Sequence, residues 1–220
     1  MDSAASKTGS SVFRRVMPCW AAFCTPTSSI FVFSAMMPEI SLSILDVAEN
    51  STRAKSSLVS IGIAIDTKKD TMTVTIDDDG CGMTEEQVRK VEDPFFTTRT
   101  TRKVGLGVPF LKQAALAANG DFSIASEVGK GTNVKAVFQY SNIDRMPLGD
   151  ISHTIQQLVV YHPETDFLYT YSYDGQSFAL DTREMREILG DVPFSEPEVQ
   201  EYILSYLAEN KQEVDHGQVE

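Results

Sequence analysis

The chain has 220 residues, 42% hydrophobic and 23% charged, with a formal net charge of −12. This is the composition of a folded globular protein able to bury a real core. The charge imbalance lies wholly in residues 141–220, which hold 4 Lys/Arg against 16 Asp/Glu, whereas residues 1–140 carry 15 of each. Nucleic-acid binding needs a basic face, so it is not expected of this C-terminal third. The third reads as a solvated acidic module or, more sharply, as an acidic docking surface.

Residues 1–37 show no periodicity. Arg14-Arg15 precede a loosely apolar stretch that Pro18, Pro26 and the polar run Thr25–Ser29 interrupt. The stretch makes a poor membrane span and reads as a disordered or wrongly assigned leader, with a signal or anchor as the alternative. Cys19, Cys24 and Cys81 are odd in number, and no His or further Cys stands close enough to complete a zinc site. A reducing cytoplasm and no membrane association are expected.

From Glu39 the pattern becomes regular. Ile40, Leu42, Leu45, Ala48 and Ala54 recur at helical spacing over 39–57. Leu58–Asp66 and then Met72, Val74 and Ile76 alternate as two strands around the turn Lys68-Lys69-Asp70. Thr84 begins a short helix with Glu85, Glu86 and Gln87 in its first turn. Residues 92–104 are rich in Thr, Arg and Lys and read as a mobile loop. A helix from about Gly105 to Ala118 ends at Asn119-Gly120, and strands at 121–127 and 132–140 flank Gly129-Lys130-Gly131. Beyond these, the pattern predicts a helix near 148–159 and a hairpin of strands 167–173 and 177–180 turning at Asp174-Gly175. Helices near 181–189 and 195–209 follow, and the end from about Lys211 is expected to fray.

Four short elements carry chemistry. Asp78 shares parity with Met72, Val74 and Ile76, so its carboxylate ends a core-facing row and needs a partner. An adenine amine would serve, with Gly80 and Gly82 letting the backbone turn and approach the base. Alone, this Asp-x-Gly-x-Gly reads equally as a turn. Asp46 and Asn50, spaced i, i+4, share a helix face. The amide oxygen of Asn50 suits a Mg²⁺ already held by phosphates and water. Asp46 is placed to orient or deprotonate a water. Glu49 is better explained as an ion pair with Arg53. Gly105 and Gly107 would present N–H groups to phosphate at a helix start. Arg99, Arg102 and Lys103 would reach the terminal phosphate or form a solvated loop. Phe95-Phe96 would anchor that loop. Gly129-Lys130-Gly131-Thr132 is not a P-loop, because no glycine stands six residues before the Lys.

In this order the elements over about residues 40–140 resemble the ATPase superfamily of DNA gyrase, the ninety-kilodalton heat-shock chaperone, histidine kinases and mismatch-repair proteins. Asp46–Asn50 is similar to its N box, with Asn50 in the magnesium position. Asp78–Met83 is similar to its Asp-x-Gly-x-Gly box, with Asp78 in the adenine position. Asp93–Thr98, including Phe96, Thr97 and Thr98, resembles the phenylalanine box of histidine kinases. Arg102, Lys103, Val104, Gly105, Leu106 and Gly107 resemble the lid and second glycine box. Thr132 stands where a hydroxyl helps hold the base through water.

The resemblance implies an α+β fold: a two-layer sandwich of mixed β-sheet with helices on one face, closed by a mobile lid. It implies ATP and Mg²⁺ as ligands of residues 38–141. Residues 142–212 are expected as a small acidic α+β appendage similar to the tail of free-standing bacterial ATP-binding proteins, with 213–220 a frayed end. The family's hydrolysing branches carry Glu where Asp46 stands. The three histidines, His153, His162 and His216, all follow the ATPase-like region, and His153 reads as a surface residue. Transfer of the γ-phosphoryl group to a protein partner in trans is therefore expected, with an ATP-dependent switch or slow ATPase as the alternative.

Overall fold

The computed structural model describes residues 39–92 and 106–219. Six strands form one mixed sheet: β1 (Leu58–Asp66), β2 (Thr71–Asp78), β3 (Asp121–Glu127), β4 (Gly131–Gln139), β5 (Asp166–Tyr173) and β6 (Gln176–Asp181), in the order β3-β4-β2-β1-β5-β6. All neighbours are antiparallel except β1 and β5. Among the described residues six helices accompany them: α1 (Ile40–Arg53), α2 (Glu85–Val91), α3 (Gly107–Ala117), α4 (Ile151–Tyr161), α5 (Thr182–Leu189) and α6 (Pro197–Asp215).

The alternation of each strand explains the layers. Val59, Ile61, Ile63 and Ile65 of β1, Met72, Val74 and Ile76 of β2, and Val134, Ala136 and Phe138 of β4 are buried. On α1 the matching stripe is Ile40, Ile44, Val47 and Ala48 rather than the expected Ile40, Leu42, Leu45, Ala48 and Ala54, and Leu42 is exposed; Val108, Leu111 and Ala115 of α3 complete it. The opposite sheet face carries partly exposed small or polar residues, such as Ser60, Gly62, Thr71, Thr73 and Thr75. The expected sandwich is present.

Residues 142–212 share this sheet. β5 lies parallel to β1 over eight registered pairs, from Leu58↔Asp166 to Ile65↔Tyr173. Both ends of the junction are tied: Asp166 N donates to Ser57 O at 2.9 Å, and Asp174 accepts from Thr67 N at 2.7 Å and from its hydroxyl at 2.6 Å. Asp174 and Gly175 both have positive φ, 48° and 92°, as a tight hairpin turn requires. Near the start of α1, Ile40 N and Ser41 N donate to the carbonyls of Pro147 and Leu148. The segment before α4 thus satisfies N–H groups that a helix leaves open.

The chain end departs from expectation. α6 continues to Asp215 rather than stopping near 209, and Lys211–Val219 are held, not frayed. Asp215 is fully buried, accepting from Tyr171 Oη at 2.8 Å, Lys211 Nζ at 2.9 Å and Gly217 N at 2.8 Å. Lys211 also donates to Val219 O at 2.7 Å, and Val214 and Val219 are buried. A polar sequence hides this anchor because its charges pair inward. Burial and the neighbouring Asp215 carboxylate push the Tyr171 hydroxyl pKa well above its ordinary value.

Tyr169, two residues earlier on the same strand face, buries a hydroxyl with no hydrogen-bond partner among the described residues. The two tyrosines should therefore respond oppositely. Tyr171→Phe is expected to lose about 1.5–3 kcal/mol, the range for a bond to a charged group, whereas Tyr169→Phe should be neutral or stabilising by about 1 kcal/mol. Urea unfolding of the two variants beside the wild type checks the sign of each.

Candidate functional site

The end of β2 brings the site together. Asp78 is cross-strand from Thr132 on β4, and its carboxylate is claimed from two sides. Ser51 Oγ on α1 donates to Oδ2 at 2.6 Å, and Gly80 N donates to Oδ1 at 2.9 Å. Ser51 is a residue that sequence reading missed. It falls at the next step of the stripe Ile40, Ile44, Val47, Ala48, so a hydroxyl stands where an apolar residue is due. Its burial and its bond to Asp78 explain the exception.

Two glycine turns frame this carboxylate. Gly82 has φ +63°, and a Cβ there would come within 2.0 Å of Glu127 O; one on Gly131 would come within 1.8 Å of Asp78 O. Backbone approaches backbone at both places, which only glycine permits. Cys81 N donates to Ala54 O and Gly129 N to Cys81 O, fastening the loop to the end of α1 and to the β3–β4 turn. Ser126 is a second missed residue. Its hydroxyl accepts from Met83 N at 2.8 Å, donates to Gly131 O at 2.9 Å and lies 2.9 Å from Thr132 Oγ1. The structure thus gathers Asp78, Gly80, Gly82, Met83 and Thr132 with Ser51 and Ser126.

Asp79, next in sequence, has a different task. Its carboxylate accepts from Ser57 N at 2.7 Å, Leu58 N at 3.0 Å and the Ser57 hydroxyl. It therefore caps the entry to β1. Burial pushes its pKa up, but the Leu58 and Ser57 donors outweigh this and hold it below the ordinary value.

Asp46 and Asn50 lie on one face of α1, partly buried. Asp46 Oδ2 accepts from Gly107 N, at the first residue of α3, at 2.6 Å. Asn50 Oδ1 accepts from Arg53 Nη1 at 3.0 Å, and Arg53 Nη2 also meets Glu49 Oε2 at 2.5 Å. The i, i+4 pair expected for Glu49 is formed. Leu106 is the N-cap residue of α3. Phe96, Thr97, Thr98, Arg102, Lys103, Val104 and Gly105, with Phe95 and Arg99, lie outside the described residues. His153 is exposed, and its Nδ1 lies 2.6 Å from Asp150 Oδ2 within the cap of α4.

Residues 39–142 match the family described as histidine kinase-, DNA gyrase B- and HSP90-like ATPase. This segment is an ATP-binding domain of that superfamily. Similar segments occur in sporulation kinase E of Bacillus subtilis (34% identity over 64 residues, 29% of this chain and 8% of that protein). The signal transduction histidine-protein kinase AtoS of Escherichia coli is 33% identical over 89 residues, 40% of this chain and 14% of that protein. Sensor protein DegM of a Bacillus strain is 26% identical over 96 residues, 44% of this chain and 26% of that protein. The shared part is thus a small share of each of these relatives. Among solved structures, the N-terminal domain of a DNA repair protein has a TM-score of 0.52 at 12% identity, covering 70% of this chain and 55% of that one. That likeness concerns the fold alone. Among the described residues no helix is long and apolar enough to cross a membrane, and no group of three or more His, Cys, Asp or Glu stands together to hold a metal.

The neighbouring aspartates of the ATPase domain give a contrast. Asp78→Asn is expected to weaken adenine nucleotides by about 2–3 kcal/mol, the scale of a charged hydrogen bond lost beside a buried group left unpaired. Asp79→Asn should leave that affinity unchanged. Because the folded-state pKa of Asp79 is depressed, its contribution to stability is present above the ordinary value of 3.8 and is lost as pH falls through the lower folded value. Asp79→Asn should therefore flatten the acid limb below that pH. Calorimetric titration and a pH series of thermal melts separate the two roles.

Proposed function

We propose that this protein binds Mg-ATP through its ATPase domain and transfers the γ-phosphoryl group to a side chain of a protein partner in trans, as a cytoplasmic signalling module. The observation that carries the reading is the Asp78 carboxylate, held by Ser51 and Gly80 beside Thr132 within the matched segment. A carboxylate pre-oriented by two donors retains acceptor capacity for an adenine amine. Gly80 and Gly82 allow the base to lie against backbone. The kinase names of two relatives favour phosphotransfer over a passive nucleotide sensor.

The Asn50 amide oxygen fits a magnesium ion delivered with the nucleotide. It is a neutral hard ligand with a second lone pair beyond the one facing Arg53. Magnesium would neutralise charge on the transferring phosphoryl group. Asp46 would orient a water where hydrolysis competes with transfer. Arg102 and Lys103 would supply cations for the phosphates, and Gly105, Leu106 and Gly107 a helix start beside them. Residues 38–141 act as the nucleotide-binding unit in this reading, and the acidic residues 142–212 offer partner-facing surface.

A second reading, an ATP-dependent conformational switch, is favoured by the bond between Asp46 and Gly107, which ties the start of α3 to α1. Incubation with γ-labelled ATP and Mg²⁺, alone and with cell extract, decides between them. Label on an extract protein, absent with Asp78→Asn, is the expected result. Tight ATP binding without label on protein would move the conclusion to the switch.

A further inference from the structure

The first turn of a helix leaves N–H groups without an intrahelical acceptor, and its partial positive charge favours an anion. At the start of α3 that anion is already present. Leu106, the N-cap residue, has no side-chain oxygen to offer, and the bond comes from α1: Asp46 Oδ2 at 2.6 Å from Gly107 N. The approach is close along the whole contact. A Cβ on Gly107 would lie 2.8 Å from Asp46 Cβ, 2.9 Å from Ser43 O and 3.0 Å from Val47 N. Gly107 is buried, so this N–H is reached from the Asp46 side rather than from open solvent.

We infer that Asp46 is an internal competitor for nucleotide phosphate: its carboxylate holds the N–H at the start of α3 when no nucleotide is bound, and the polyphosphate must displace it or bind beside a like charge. The inference rests on the proposed site, in which Asn50, one helical turn after Asp46, meets the metal-bound phosphates. A carboxylate that already accepts a backbone N–H at 2.6 Å is a positioning group for α3, a role separate from water activation. Displacement would break the bond that fastens Gly107 N to α1. Phosphate binding at one end of the site is thereby coupled directly to the seating of α3, whereas the Asp78 carboxylate is held by Ser51 and Gly80 instead.

The sign of the effect tests this. In the full-length chain, Asp46→Asn keeps an amide oxygen able to cap α3 but removes the charge. Affinities for adenosine, ADP and ATP with Mg²⁺ are measured by calorimetry for wild type and variant. The expected result is unchanged adenosine affinity, with ADP and ATP bound on the order of tenfold more tightly once like-charge repulsion is removed. Asp46→Ser, a smaller neutral acceptor, should shift ADP and ATP in the same direction. Unchanged or weaker ADP and ATP binding with unchanged adenosine affinity overturns the inference. Failure of both wild type and variant to bind adenosine or nucleotide removes the adenine site and this inference together, a pattern distinct from the preceding one.

Discussion

The hydrogen bond between Ser51 and Asp78 joins the two layers of the site. It runs from the buried face of α1 to the end of the central strand β2, so the helix cannot rotate or slide without pulling the carboxylate off line. Because Asp46 and Asn50 project from the same helix, their positions relative to Asp78 are set by this one contact and by the stripe Ile40, Ile44, Val47 and Ala48 beneath it. Gly80 N closes the other side of the carboxylate, and Cys81 N returns the loop to Ala54 at the end of α1. An internal polar contact of this kind contributes modestly to net stability, but breaking it leaves a partly buried charge poorly satisfied. Its larger consequence is orientation.

The same logic divides the aspartates. Asp78 is held with acceptor capacity in reserve, Asp79 is saturated by the N–H groups entering β1, and Asp46 is engaged at the start of α3. Three carboxylates within one ATPase domain thus do three different jobs, and the donors around each decide which. Ser126 and Thr132 add a hydroxyl pair that knits Met83, Gly131 and β4 behind the glycine loop. The loop is therefore shaped by contacts from four elements rather than by its own glycines alone.

Integration of the acidic third gives the sheet a second organising feature. β1 is flanked by β2 on one side and β5 on the other, so the strands of the ATPase domain and the C-terminal strands share one hydrogen-bonded core. Helix α1 starts against residues 147–148, just before α4, and ends at the glycine loop. A displacement of α1 would therefore be felt at both places. The buried Asp215 with Tyr171 and Lys211 anchors the far end of α6 onto β5.

Strand parity, the i, i+4 spacing of Asp46 and Asn50, the capping residue Thr84 and the Asp174-Gly175 turn were legible in the residues, because each is a local property of a few neighbouring positions. So were the family and its α+β sandwich, since four motifs in fixed order carry them. Ser51 was legible only as an anomaly, one hydroxyl in an apolar stripe, and Ser126 had no local signal at all. The parallel pairing of β5 with β1 joins residues 108 positions apart, and no short-range pattern encodes a partner at that distance. Nor does a polar chain end announce that Asp215 turns inward. The sequence by itself determined the elements and the faces of the strands, which follow from backbone periodicity, and the ligand class, which follows from the motifs in order; on α1 it placed Leu42 on the apolar stripe, where the structure leaves it exposed. Only the tertiary structure decided which carboxylate is held ready, which is saturated and where the C-terminal third attaches, because hydrogen-bond donors from distant segments set all three.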